Sequence, residues 1–155
     1  MDAFTLENPV FRTYVIAAAL AILKMMFHAY LVVVQMMRAK GGFLNPEDTR
    51  KTPVNPNPSA AQLNPNEAVE RARRMHRNEG ENTPYFLAAG FIFVAASPPF
   101  WLAAVLLYGY IVARVLHFWA YATAQIHDVR ATFYTAGTVS IAAMAIYALS
   151  AALAG

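Results

Sequence analysis

Val69-Glu70-Arg71-Ala72-Arg73-Arg74-Met75-His76-Arg77-Asn78-Glu79-Gly80-Glu81 is a run of charge that passes, with no clean break, into the apolar segment Thr83 to Ala96. At the helical period, Glu70, Arg74, Arg77, Asn78 and Glu81 share one face, while Arg71, Met75 and Glu79 point elsewhere. The apolar part measures only about 21 Å as a helix, against about 30 Å of bilayer hydrocarbon. A helix that spans here must carry the last turn or two of its charges to membrane depth. Charges at that depth face a protein interior, pair, or hold a polar ligand. In a soluble protein the same pattern would be a solvated face leading into a buried helix, so composition decides between the two.

Of 155 residues, 58% are apolar and 14% charged, and the mean hydropathy is +0.37. A soluble all-helical domain would have too little polar surface to cover itself, which points to a small integral membrane protein. The formal charge is +3, and eight of the 12 Lys and Arg lie between Arg38 and Arg77. The absence of cysteine excludes disulfides, a cysteine nucleophile and thiolate metal sites. The acidic amino terminus and the length of the first apolar run predict a retained anchor, not a cleaved signal.

Asn8-Pro9 reads as a cap followed by proline at the first helical position, opening an apolar span over 10–37 that Gly41-Gly42 ends. Asn45-Pro46-Glu47-Asp48 repeats the signal and predicts a short helix, within an irregular cytoplasmic loop over 38–65. Asn64-Pro65-Asn66-Glu67 starts the second helix, whose span covers 75–96 and whose Pro84 should bend it. Ser97-Pro98-Pro99 turns the chain into a third span over 99–124, and a polar loop at 125–130 leads to a fourth over 131–153. The expected architecture is all-α, one domain over 1–155, a four-helix transmembrane bundle with both termini on one side. The basic first loop marks the other side as cytoplasmic.

Polar groups recur at one depth. Lys24, Glu81, Arg77, Arg114 and His117 all lie about 21–28 Å from the outer ends of their helices, and Arg130 and Tyr134 open the fourth span at its cytoplasmic end. Matching depth makes Glu81 the expected partner of Lys24. His28 reads as a packed histidine and His76 as interfacial. Arg130 opposes the helix dipole, which implies an anionic partner, and Tyr134 one turn on can donate toward the same place. An arginine-rich cluster with one or two acids, open to cytosol and to lipid, suits a polyanionic, zwitterionic small molecule. Scattered histidines suit a metal badly, and the basic loop lacks the interleaved aromatics of a nucleic-acid surface.

The stretch Glu70 to Asn82 resembles the E-R-x-x-R-x-H-x-N-[DE]-x-E-[NT] signature of the MAPEG family, the membrane-associated proteins of eicosanoid and glutathione metabolism. Phe43-Leu44-Asn45-Pro46-Glu47-Asp48, Leu23-Lys24-Met25-Met26, Arg114-Val115-Leu116-His117 with Tyr121, and Arg130-Ala131 with Tyr134 resemble its other motifs, in order, across all four spans. Arg130-Ala131 and Arg73-Arg74 look more like the microsomal glutathione transferase branch than the prostaglandin E synthase branch, which has serine at the position of Ala131. The chain departs from the synthase branch at Met37 and Thr138, where that branch has arginine and glutamine, and in the order Pro84-Tyr85.

The resemblance implies a homotrimer that binds glutathione, as cosubstrate, at each subunit interface. Arg74, Arg77, Asn78 and Glu81 would hold it from the second helix, Arg114, His117 and Tyr121 from the third, and Tyr134 from the fourth, with Arg130 catalytic. Arginines clamp carboxylates bidentately, an acid suits the ammonium, and a guanidinium beside the sulfur lowers a thiol pKa that is ordinarily about 8.5. The thiolate would meet a lipophilic electrophile or lipid hydroperoxide arriving from membrane lipid, at the cytoplasmic face. Competing expectations are an eicosanoid-type isomerase on the same fold, a non-catalytic lipid-binding member, and a small four-helix transporter, against which Lys24 in place of an acid counts.

Overall fold

A computed structural model describes residues 3–155. Its long elements are four helices: α1 Pro9–Ala39, α2 Glu67–Ala95, α3 Phe100–Ala122 and α4 His127–Ala154. Two short 3-10 turns, Pro46–Thr49 and Ala60–Leu63, lie between α1 and α2, and the described residues contain no strand.

The helix ends follow from local chemistry. Asn8 Oδ1 accepts from the Val10 amide at 2.9 Å, satisfying one orphan donor at the start of α1. In α2 the capping side chain is Asn66, whose Oδ1 accepts from Ala68 and Val69. At the end of α1, Gly41 N donates to Met36 O and Lys40 N to Met37 O, the crossed pair of a left-handed closure. The left-handed residue is Lys40 (φ 48°), not the expected glycine. Ser97 (φ 51°) follows α2 and Ala124 (φ 55°) follows α3 in the same conformation, Ala124 within the same crossed pair: Gln125 N to Ala120 O and Ala124 N to Tyr121 O. Helix α4 begins at His127, so the expected 125–130 loop is shorter and Arg130 sits inside the first helical turn.

The chain divides into two compact units, one of residues 1–24 with 80–155, the other of residues 25–79. In the first, α3 and α4 pack along each other, and all four helices feed one core: Val10, Ala17 and Ala21 from α1, Phe86, Ala89 and Phe93 from α2, Leu107 and Tyr110 from α3, and Met144 from α4. The Phe86 and Tyr110 rings stack at 3.9 Å, and Phe93 meets Tyr147 edge to face at 5.2 Å. Tyr14 donates its hydroxyl to Leu87 O at 2.9 Å and lies so close to Gly90 that a Cβ there would sit 2.7 Å from the ring.

The second unit holds the rest of α1, the connecting segment and the first half of α2. Gln62, which the sequence reading passed over, organises it. Its amide accepts from Asn55 Nδ2 (2.8 Å) and Ser59 N (3.1 Å), and donates to Asn55 Oδ1 (3.0 Å) and Lys40 O (3.3 Å). Its own carbonyl accepts from Phe43 N at 2.9 Å. The segment expected to be irregular is thus pinned at one amide. Ser59 and Gln62, three residues apart, form the capping box that could have revealed it.

Helices α1, α3 and α4 are long and apolar enough to cross a membrane. Their outward faces carry Leu23, Met26, Tyr30, Trp101, Val112, Val139, Ile146 and Leu153, all exposed, a surface suited to hydrocarbon. Helix α2 is long enough, but its charged first half keeps it out of that group.

Candidate functional site

Within the 25–79 unit, the arginines of α2 have separate fates. Arg73 is structural: its Nη2 donates to Gly42 O at 2.6 Å, its Nη1 pairs with Glu70, and it touches the Met36 sulfur. Gly42 (φ +72°) has Val69 3.0 Å from where a Cβ would be, so only glycine presents that carbonyl so closely. Arg71 and Arg74 both donate to Glu67, at 3.2 and 2.7 Å. The Arg71 hydrogen bond and then that of Arg74 hold the Glu67 carboxyl below the usual carboxylate range. Arg77 is exposed and has no hydrogen bond or ion pair among the described residues, while Asn78 is half-buried and partnered.

Half a turn round α2 from this face, Glu79 is buried, its carboxylate 4.0 Å from Nδ1 of an equally buried His28. The sequence reading packed His28 correctly but turned Glu79 aside. The expected Lys24–Glu81 pair is not formed: Glu81, in the other unit, is exposed and has no ion pair among the described residues. Depth along the bilayer matched the two residues, but direction around the helix did not, and Glu81 points outward with Arg74 and Arg77.

The other unit gathers the candidates from α3 and α4. The Arg130 guanidinium carbon lies 4.6 Å from the centroid of the Tyr121 ring. His117, buried, meets Tyr121 edge to face at 5.1 Å and lies 6.2 Å from the half-exposed ring of Tyr134. Arg114 is buried deeper, its Cδ 3.3 Å from where a Cβ on Gly137 would be, so a glycine on α4 makes room for it. Arg130, Tyr121, His117 and Tyr134 are thus one continuous group, and Arg114 lies in the helix packing one turn away.

Two features give this group an affinity for anions. Arg130 Nε is buried and has no hydrogen-bond acceptor among the described residues. It sits in the first turn of α4, where Ile126 at the N-cap offers no side-chain oxygen and the exposed amides leave a positive helix end. A cation near a positive helix end favours an anion beside it, although the Tyr121 ring and Asp128 in the same turn also offset the charge.

Comparison with known proteins fits this chemistry. The human prostaglandin E synthase is 28% identical over 147 residues, covering 95% of this chain and 93% of its own length. Microsomal glutathione S-transferase 1 of Sus scrofa is 31% identical over 118 residues, covering 76% of this chain and 75% of its own. The rat enzyme of that name gives the same identity and coverage. The two kinds of relative are barely separated by identity, so the branch preference rests on Arg130-Ala131 and Arg73-Arg74. The sequence profile of the MAPEG family matches residues 14–150, and the chain belongs to that family.

Proposed function

We propose that the protein is a glutathione transferase of the membrane, with lipid hydroperoxides as further substrates, working as a homotrimeric bundle in which each chain crosses the bilayer four times. The observation that carries this reading is Arg130: a half-buried guanidinium in the first turn of α4, its Nε out of reach of any hydrogen-bond acceptor among the described residues, held against the Tyr121 ring. Glutathione has two carboxylates, an ammonium and a thiol. Arg77 and Glu81 are exposed, with no ion pairs among the described residues, and would take a carboxylate and the ammonium from the cytoplasmic face. Arg74 would exchange Glu67 for a ligand carboxylate, and Asn78, Arg114, His117, Tyr121 and Tyr134 would complete the set. Arg130 would hold the thiol as thiolate, whose sulfur displaces a leaving group such as halide from the lipophilic electrophile, with the thiol proton lost to water. The similarity to microsomal glutathione S-transferase 1 and the family match support this reading.

The second reading, a glutathione-dependent isomerase, is favoured by the longer coverage of the prostaglandin E synthase relatives. Ala131, where the synthase branch has serine, argues against it. The deciding experiment is conjugation of glutathione to an activated aryl halide by detergent-purified protein. Arg130→Leu should keep glutathione affinity within a few-fold and lower turnover by roughly 10²-fold or more. Conjugation by Arg130→Leu at the wild-type rate would refute the assignment, and an isomerase would convert a cyclic endoperoxide while leaving the aryl halide untouched.

A further inference from the structure

We propose that Tyr121 is a positioning residue for Arg130, acting through its ring and not through its hydroxyl. This rests on the transferase reading for its consequence but not for its geometry.

Arg130 occupies a place that its own helix disfavours, because the first turn of α4 carries the positive end of the macrodipole. Among the described residues no carboxylate forms an ion pair with it, not even Asp128 in the same turn. What faces the guanidinium is the π surface of Tyr121 at 4.6 Å. That ring belongs to the last turn of α3, the negative end of that helix, so ring and helix end attract the cation together. His117 meets the ring at its edge, and His117 is itself buried, so the platform has little freedom to turn. The chain between the two residues is closed by the left-handed Ala124, which fixes the distance from the end of α3 to the start of α4.

The consequence is a pre-placed charge. A long arginine side chain loses much rotamer freedom when it must meet a small anion. Contact with the Tyr121 ring imposes that loss before ligand arrives. A guanidinium so held acts on the thiol pKa more than on tripeptide affinity, because it meets only the developing sulfur charge.

The test uses full-length protein in detergent and two variants, Tyr121→Phe and Tyr121→Leu. Phenylalanine keeps a cation-binding ring without the hydroxyl, and leucine removes it. The pH dependence of bound-glutathione thiolate absorbance is measured for each, beside glutathione affinity. The bound-thiol pKa should stay at the wild-type value in Tyr121→Phe, even where loss of the hydroxyl weakens affinity, and rise by about one unit in Tyr121→Leu, a tenfold effect. Equal pKa values in wild type and Tyr121→Leu would overturn the proposal, and so would a pKa raised in Tyr121→Phe as far as in Tyr121→Leu. A second measurement needs no ligand: with 15N-labelled arginine, the Arg130 Nε resonance should carry a ring-current shift in wild type and Tyr121→Phe that disappears in Tyr121→Leu. If wild type forms no glutathione thiolate, the transferase reading fails, and the resonance still decides whether Tyr121 holds Arg130.

Discussion

The two units of the chain are held together by opposite means. Residues 1–24 with 80–155 form an apolar core of rings and small residues in which Phe86, Phe93, Leu107 and Tyr110 are almost wholly buried. Residues 25–79 have few large buried apolar side chains, and rely on the Gln62 amide, the Arg73 guanidinium and the buried His28–Glu79 pair. In hydrocarbon no hydrophobic force drives helices together, so packing and close approach must supply the stability. In a segment held by polar groups, water competes for each of them, and only groups with their donors and acceptors met hold a loop still. The comparison teaches that steric changes should damage the first unit and polar deletions the second.

Gly90→Leu should have the largest effect. A Cβ there meets the Tyr14 ring at 2.7 and 2.9 Å, and the ring cannot retreat without breaking its bond to Leu87 O. Overpacking of this kind costs about 3 kcal/mol, measurable as a fall of the thermal midpoint in detergent. An unchanged midpoint would show that the helices slide apart freely and that the first unit is not limited by packing. Arg73→Met comes next. It removes the donor to Gly42 O and the Glu70 pair while keeping most of the bulk, for about 1.5–3 kcal/mol. Its effect should appear as faster proteolysis of the 40–65 segment, and protease resistance equal to wild type would remove the guanidinium from the account. Smaller still is a gain. Lys40→Gly should stabilise by about 1 kcal/mol, because the left-handed conformation costs a side chain that glycine avoids. Denaturant titration with no gain would mean that the lysine side chain compensates.

The smallest effect concerns pH. Glu67 has a folded pKa below its ordinary 4.5, caused first by Arg71 and then by Arg74. The carboxylate form favours the folded chain, so its contribution is complete above about pH 4.5 and disappears as pH falls through the lower folded value. Stability between about pH 5 and pH 3 should therefore decline less steeply in Glu67→Gln than in wild type. Parallel curves would show that the exposed pair contributes nothing.

Much of this was legible in the sequence because it depends on neighbours along the chain. Asn8 and Pro9, Asn45 and Pro46, and the apolar periods of α1, α3 and α4 each act within a few residues, and they place the helices, though α4 begins four residues before the expected span. The remainder depends on partners far away in sequence. Lys40 takes the left-handed position although two glycines follow it, since Gln62 binds the Lys40 carbonyl and fixes where the turn falls. Arg73 and Arg74 are the same residue type side by side, yet 100° of rotation sends one to Gly42 and the other to Glu67. Matching depth proposed Glu81 for Lys24, but depth is one coordinate of two, and the buried acid is Glu79. The aromatic-cation group was legible in composition, as Arg114, His117, Tyr121, Arg130 and Tyr134, but not the contact of Arg130 with the Tyr121 ring.

Helix α2 combines a charged half with an apolar half too short to span alone, and this bears on how the protein is made. On the four-span reading, the ribosome delivers α1 to the translocon first, as an apolar segment that partitions readily. When α2 follows, each charge it carries to the bilayer centre costs about 2.5–3.5 kcal/mol by insertion scales. Its acid at position 79 is met by His28, a residue synthesised dozens of positions earlier and already in place. On that reading α1 would act as an internal chaperone for α2, and α2 expressed without it should be left in the aqueous phase.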